Sequence, residues 1–408
     1  MQTQPDVQPV VLDPSGRDIP GEAERLRDLG AVVRVELPGG IPAWAVTRHE
    51  LLRDVILDPR VSRDGPRHWR LWPQVAQRPE WAWIAQWIGT GSMLNTYGAD
   101  HTRLRRLIAG AFTRRQVEAL RPKIEQITAD LLDALAASPS GQPVDLHATY
   151  AHPLPMRVIC ELFGVPESMR EDAATMVERI VDTTATADQA AETIAFTGAV
   201  LHSLIAHRRD HPGDDLTTTL ISARDGGDRL DEDELLGTLL LFIGAGHETT
   251  VNLIGNAVHA LLTHPDQLAR VRAGDIGWDR VVEETLRWAP SIANLPLRFA
   301  VSDIGVGGVT IPAGDAVLTT IAAANRDPRH YEDADTFDAT RDAGDHLAFG
   351  IGVHHCIGAP LARLETGAAL PALFERFPDL RLAVEPERLD QVPSFVVFGW
   401  RPMPVRLT

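Results

Sequence analysis

Phe349-Gly350-Ile351-Gly352-Val353-His354-His355-Cys356-Ile357-Gly358 is the stretch on which the reading of this chain turns. Glycines at 350, 352 and 358 let the backbone curl tightly around something beside the cysteine. From Ala359 to Leu370 the pattern turns helical, so the thiol stands just before a helix N-terminus, where a thiolate is stabilised. Three uses of such a thiol compete. A structural zinc site wants four ligands, usually with a second cysteine close by. The other cysteine, Cys160, is remote and lies in an apolar helical segment that reads as core. A cysteine nucleophile needs an oriented histidine, and the adjacent His355 cannot point back at it. The third use is a haem thiolate, with a flat macrocycle against the glycine-lined backbone. No C-x-x-C-H occurs, so covalent attachment of the c type is excluded.

The rest of the chain narrows the class. It has 408 residues, 39 Lys+Arg and 56 Asp+Glu, for a formal net charge of −17. With 44% apolar and 23% charged residues it is an ordinary globular composition, which excludes disorder, collagen and coiled coil as whole-chain descriptions. The length exceeds the ~250–300 residues at which a single core usually stops growing. The acidic balance argues against a nucleic-acid partner. Two cysteines exclude a disulfide-stapled scaffold. Lys123 is the single lysine beside 38 arginines, which leaves little room for Schiff-base chemistry, and no G-x-x-x-x-G-K-[ST] occurs. Residues 1–20 read as neither signal peptide nor membrane anchor. The longest apolar run, 235–246, falls short of the ~20 residues of a bilayer span, so a soluble, cytoplasmic protein with no membrane contact is expected.

Residues 32–37 and 41–47 flank Pro38-Gly39-Gly40, the pattern of a β-hairpin. Thr47 with Glu50 three residues on reads as a capping box that opens a helix through Leu51, Leu52, Val55 and Ile56. Helical patterns dominate from 100 to 288, with breaks near Gly141, Gly164 and His211. After Pro290 the pattern predicts strands at 305–311, 316–323, 381–384 and 395–405. No linker and no internal repeat divides the chain, so 1–408 reads as a single domain, mainly α with small β-sheets.

Residues 231–262 form the strongest helix, with acids at 231–234 on its positive end and Pro265 after it. Roughly 32 residues span on the order of 48 Å. Its middle is apolar all round and belongs in the core. Embedded there is Ala245-Gly246-His247-Glu248-Thr249-Thr250, an acid and two hydroxyls whose burial is costly unless they are paired or used. A helix that surfaces at that turn is the plainer reading. The zinc pattern H-E-x-x-H fails, because position 251 is valine.

F-G-x-G-x-[RH]-x-C-x-G resembles the haem-binding loop of the cytochrome P450 family. Further stretches resemble that family in the right order: Ala245 to Thr250 its oxygen-binding turn, Glu284-Thr285-Leu286-Arg287 its E-x-x-R motif, and Phe337 to Arg341 its meander. His101-Thr102-Arg103-Leu104-Arg105-Arg106 is similar to the bacterial haem-propionate helix. The resemblance covers nearly the whole chain. It implies the cytochrome P450 fold, with haem b (iron protoporphyrin IX) between the long central helix and the cysteine loop. A core built around a large cofactor also accounts for the oversized domain.

Carried over to these positions, the resemblance makes Cys356 the iron ligand and places Phe349 and Gly350 against the thiolate side of the haem. His101 and Arg105, at i and i+4, grip the propionates together with Arg298 and His354. Many relatives have arginine at 354, so the histidine contact is expected to depend on protonation. Glu248 and Thr249 match the acid–alcohol pair that delivers protons, and Gly246 leaves room for O2. Glu284, Arg287 and Arg341 form a buried structural ion network. Substrate contacts are implied for Trp83, Trp87, Ile88, 176–184, Leu241, Ala245, Ile292 to Leu295, and Phe395, Val396 and Val397, although each aromatic reads equally well as core.

Residues 101–123 carry seven Lys/Arg (103, 105, 106, 114, 115, 121, 123) against Glu118. A solvated face or a nucleic-acid contact would explain them, but the preferred reading is a docking face for an acidic ferredoxin. No flavin or iron–sulfur signature occurs, so electrons from NAD(P)H must arrive through a separate ferredoxin and ferredoxin reductase. The expectation is a haem-thiolate monooxygenase that inserts one atom of O2 into a C–H bond, or epoxidises an alkene, of a small but bulky hydrophobic substrate. The run from Leu12 to Val46 resembles an actinobacterial branch that acts on steroids and macrolides. Steroid is favoured, with macrolide or other polyketide second. A peroxide-driven peroxygenase and a haem gas-sensor are the rivals, and the Glu248-Thr249 pair argues against both.

Overall fold

The axis of the structure, a computed structural model that describes residues 8–109, 112–139, 141–222, 224–225 and 228–408, is the helix Glu232–Thr263. Asp231 caps it: its carboxylate accepts from the Glu234 N–H at 2.8 Å, and the Glu234 carboxylate accepts from the Asp231 N–H at 3.0 Å. Two donors that the helix itself leaves unpaired are thereby satisfied. The first half packs against Pro153–Phe163, Arg170–Val181 and Ala187–Asp210 through Leu239, Phe242, Ile243, Ile159, Phe163 and Met176. The second half meets Arg121–Ala136, Trp278–Trp288 and Ala359–Arg376 in another core, around Leu253, Ile254, Val258, Leu286, Leu370 and Leu373. One helix that crosses two cores accounts for its apolar residues on every side.

A six-stranded sheet flanks this helical mass. Its strands are β1 (Val10–Val11), β2 (Val32–Leu37), β3 (Ile41–Val46), β4 (Val61–Ser62), β5 (Asn294–Ala300) and β6 (Ala316–Thr320), in the order β1-β2-β3-β6-β5-β4. β2 and β3 form the expected hairpin, paired from Val32↔Val46 to Leu37↔Ile41. It turns at Gly39 and Gly40, whose φ values of 82° and 77° lie in the left-handed region. β6 lies parallel to β3 and antiparallel to β5, and β5 carries Leu295 and Arg298 to the centre of the molecule.

Several local expectations give way to tertiary contacts. Thr47 does not cap a helix: its hydroxyl donates to the Gly30 carbonyl at 2.6 Å. The helix is His49–Leu57 with Arg48 at its N-cap, and the His49 N–H is satisfied at 3.2 Å by the carboxylate of Asp327, distant in sequence. The stretch 316–323 is a strand only to Thr320, after which Ile321–Asn325 coils into a short helix. The run 305–311 divides into Ile304–Val306 and Val309–Ile311 around Gly307 and Gly308. In 381–384 the strand is Arg381–Leu382, and in 395–405 it is Pro404–Arg406; both join Val144–Asp145 in a separate three-stranded sheet. Among the described residues no helix is long and apolar enough to cross a membrane.

Candidate active site

The cysteine loop closes on itself before the helix Ala359–Arg376. The Cys356 N–H donates to the Phe349 carbonyl at 2.8 Å and the His355 N–H to the Gly352 carbonyl at 3.0 Å. Gly350 and Gly352 take φ values of 63° and 69°, and a Cβ on Gly352 would stand 2.9 Å from Leu57. Both positions therefore need glycine. Burial raises the Cys356 thiol, against the opposing pull of the Gly358 and Ala359 N–H groups. The cysteine is deep in the molecule, yet its surface is open, because it faces an internal cavity.

That cavity lies between the loop and the central helix. Phe349, Gly350, His354 and Cys356 line one side, and Leu241, Ala245, Glu248 and Thr249 the other. At its edge stand His101, Arg105 and Arg298, all named by the resemblance, and also Arg63, which sequence reasoning missed. Arg63 and Arg298 are almost wholly buried, and among the described residues neither has an acidic partner. Arg63 donates to the carbonyls of Leu94 (3.0 Å) and Pro296 (3.2 Å) and leaves Nη1 unpaired, as Arg298 leaves Nε and His101 leaves Nε2. Burial pulls the Arg298 guanidinium down to about 10 and moves Arg63 the same way. His354 is pushed down to about 2, first by burial and then by Arg63, Arg298, His101 and Arg105. Burial and these neighbours disfavour the charged form of His354, whose ring lies 4.3 Å from that of His101 with the planes 53° apart. Buried cations without acids call for an anionic ligand. Two carboxylates on the edge of a flat apolar ring, with a thiol below its face, meet that need, so these residues fit haem b.

Opposite the thiol, the Thr249 hydroxyl donates to the Ala245 carbonyl at 2.5 Å. Glu248 is buried, with its carboxylate accepting from the Asn252 side-chain amide at 3.1 Å. Burial raises it to about 7, with Asn252 and Arg401 opposing. His247 turns away to the His152 carbonyl (3.2 Å) and is pushed down to about 3 by burial. Gly246 lines the cavity beside Ala245 and Thr249, and a Cβ there would stand 2.6 Å from the Ile159 side chain at Cδ1.

Glu284 and Arg287 are fully buried and joined bidentately at 2.7 and 2.8 Å. Arg341 approaches Glu284 at 3.5 Å and donates to the carbonyls of Glu332 and Asp333. Sequence reasoning missed a second network beside it. Arg363 pairs with Glu283 at 2.6 Å and lies over the Phe349 ring at 4.6 Å, while His346 approaches Glu283 at 3.1 Å. Glu365 was missed as well: it is buried and lines the cavity, and burial raises its carboxyl far above the ordinary range.

Of the implied substrate contacts, Trp87, Leu241, Ala245, Ile292, Leu295 and Val397 line the cavity, as do Val177, Ile180 and Val181 from the 176–184 stretch. Trp83, Phe395 and Val396 are corrected to core. The Trp83 indole donates to the Pro38 carbonyl (3.2 Å) and meets the Phe395 ring edge-on at 5.5 Å, while the Val396 carbonyl accepts from the Ala293 N–H (2.8 Å). Ile88 is likewise fully buried, against Gly65. The basic stretch is partly neutralised: Arg103 pairs with Glu234, Arg121 with Glu118 at 3.0 Å and Lys123 with Glu161 at 3.6 Å. Arg105 donates to the His355 carbonyl at 2.9 Å, and the Arg114 side chain lies outside the described residues.

A thiol below an internal cavity, cations without acids at its edge and an apolar helix above it define a haem-thiolate protein. The Cytochrome P450 family profile matches residues 196–274 and 278–406. The chain is 42% identical over 400 residues to the 2-hydroxy-5-methyl-1-naphthoate 7-hydroxylase of Streptomyces carzinostaticus, covering 98% of this chain and 97% of that protein. CYP154A1 from Streptomyces coelicolor A3(2) superposes with a TM-score of 0.93 at 48% identity, covering 98% of this chain and 100% of that one. The testosterone-bound CYP154C4 from Streptomyces sp. ATCC 11861 does so with a TM-score of 0.94 at 42% identity, covering 98% of both. This chain belongs to the cytochrome P450 family, and is a monooxygenase with haem b as its cofactor.

Proposed function

We propose that this chain, acting as a single domain, hydroxylates a bulky, rigid, apolar substrate of the steroid kind with O2 and two electrons from NAD(P)H, delivered by a separate ferredoxin and its reductase. The bound haem supplies the activation of O2 for insertion into a C–H bond. Cys356 would hold its iron, and Arg63, His101, Arg105, Arg298 and His354 its carboxylates. Glu248 shares a proton with the medium near neutral pH, as a carboxyl raised to about 7 can. Thr249, one residue on, presents a hydroxyl to the cavity to pass that proton inward.

The observation that carries the substrate reading is the apolar wall of Trp87, Val177, Ile180, Val181, Leu241, Ile292, Leu295 and Val397. The testosterone-bound relative supports a steroid. The second reading, a macrolide or other secondary metabolite, draws on the 6-deoxyerythronolide B hydroxylase of Saccharopolyspora erythraea, to which the chain is 40% identical over 389 residues. Optical titration of the ferric protein with a panel of steroids and macrolides tests both: a steroid should displace the haem water and shift the Soret band. A shift with macrolides alone would favour the second reading. Turnover with NADH, ferredoxin and reductase should far exceed turnover with H2O2, and the reverse would make this a peroxygenase. For the docking face, Arg115→Glu should slow ferredoxin-supported turnover, most at low salt, and leave peroxide-driven turnover unchanged. Equal loss in both assays would remove the docking role.

A further inference from the structure

Beside the cysteine loop, and outside the cavity, two stacked imidazoles are held between two carboxylates. His49 and Glu50 open the helix His49–Leu57, His330 comes from the segment after Asn325, and Asp345 leads into the cysteine loop. The rings of His49 and His330 lie 3.6 Å apart with planes 12° from parallel. Their Nε2 edges share Asp345: His330 Nε2 is 2.6 Å from its carboxylate, and His49 Nε2 is 3.1 Å from its carbonyl. The Tyr331 hydroxyl steadies that carboxylate at 2.8 Å. Both partners at this edge are oxygen acceptors, so in neutral imidazoles each Nε2 carries the proton and each Nδ1 presents a lone pair.

Both lone pairs face one more acceptor. Glu50 Oε1 stands 3.5 Å from His49 Nδ1 and 3.1 Å from His330 Nδ1. His49 is 1% exposed, and its Nδ1 has no hydrogen-bond partner. Arg53 approaches the other oxygen of Glu50, at 3.8 Å, and leaves Oε1 to the histidines. Glu50 Oε1 and the two Nδ1 atoms thus stand together at one edge of the stacked pair, a group of donors that a cation can join. The separations from Glu50 Oε1, 3.5 and 3.1 Å, bracket the roughly 3.3 Å between ligands of a tetrahedral ion with bonds of ~2.0–2.1 Å.

We propose that His49 Nδ1, His330 Nδ1 and Glu50 Oε1 bind a borderline divalent cation, Zn2+ foremost, with water completing its coordination. Two imidazoles and one carboxylate suit Zn2+ better than Mg2+ or Ca2+. Histidine ligands are commonly fixed by a carboxylate or carbonyl on the far ring nitrogen, the part that Asp345 plays here. A surface cleft lined by His49, Glu50, Arg53, Asp345, His346 and Arg363 gives the ion its entry. Coordination tips the stacked rings toward the ion, and His330, at 21% side-chain exposure, has room to do so. The ion ties the helix His49–Leu57 to the segment that carries His330, and Asp345, bonded to both rings, links that pair to the start of the stretch leading to Cys356.

The test uses tag-free, haem-loaded protein, stripped with a chelator and dialysed against micromolar Zn2+, with zinc per haem read by elemental analysis. One zinc per haem is expected for the wild type and for His202→Ala, an exposed histidine elsewhere. His330→Ala and Glu50→Gln should lose it, and Asp345→Asn should weaken retention about 10–100-fold. The carbon-monoxide spectrum reports that each variant is folded, and it does not depend on zinc. A wild type that retains no zinc overturns the proposal. Full retention in His330→Ala overturns it, and retention in Glu50→Gln overturns the ligand set.

Discussion

Glu248→Gln removes a proton-binding group and keeps its shape, since the Asn252 amide can still donate to the glutamine oxygen. In the folded protein burial raises the Glu248 carboxyl from an ordinary 4.5 to about 7. Between those values the folded state holds a proton that the unfolded chain has released. The unfolded state then binds fewer protons than the folded state, so wild-type stability falls as pH rises through the window. At ~1.4 kcal/mol per pKa unit the full effect is about 3 kcal/mol. Glutamine has no such window. Urea unfolding of both haem-loaded proteins from about pH 5 to about pH 8 should show the variant gaining on the wild type as pH rises, by about 3 kcal/mol in all. A stability difference that stays flat over that range would refute a buried, proton-holding Glu248, and with it the proton supply assigned to this residue.

Three further outcomes are expected. Cys356→Ser should lose the long-wavelength Soret band of the reduced carbon-monoxide complex, and a band that survives would mean that Cys356 is not the iron ligand. Thr249→Ala should keep haem and substrate binding, because its hydroxyl bonds only to its own helix at the Ala245 carbonyl. Its NAD(P)H consumption should continue while product per NAD(P)H falls severalfold and H2O2 rises to match; unchanged coupling would remove Thr249 from the proton path. Glu284→Ala should cost about 3–5 kcal/mol in chemical unfolding, because it strands the fully buried Arg287 guanidinium. Glu118→Ala, in a half-exposed pair with Arg121, should cost under about 1 kcal/mol, and equal costs would show that burial does not decide the difference.

What could be read from the sequence was what short-range chemistry dictates. The glycines at 350 and 352 have the positive φ that the cysteine loop needs, and Asp231 with Glu234 makes a cap that two residues settle between themselves. Thr47 and Glu50 offered the same local pattern, but the Gly30 carbonyl and the Asp327 carboxylate, both distant in sequence, compete for the groups involved. Arg63 follows a two-residue strand with nothing in its spacing to mark it, and only the fold shows it buried beside Arg298. Trp83, Phe395 and Val396 were misread because an aromatic or branched side chain that faces a cavity and one that faces the next layer leave the same trace in a sequence. Gly246 lines the cavity, while the Ile159 side chain packed against it belongs to another helix and left no mark in the local sequence.

The cations at the cavity edge bear on how this protein is made in the cell. A chain that has folded but not yet taken up its cofactor confines Arg63 and Arg298 together with no anion to offset them. Keeping such charges buried is costly, and the cofactor's two carboxylates would offset that cost. The cofactor would therefore serve these arginines as a counterion as well as supplying the chemistry. Haem supply during expression should set how much of the chain escapes proteolysis, and not only how much of it is coloured.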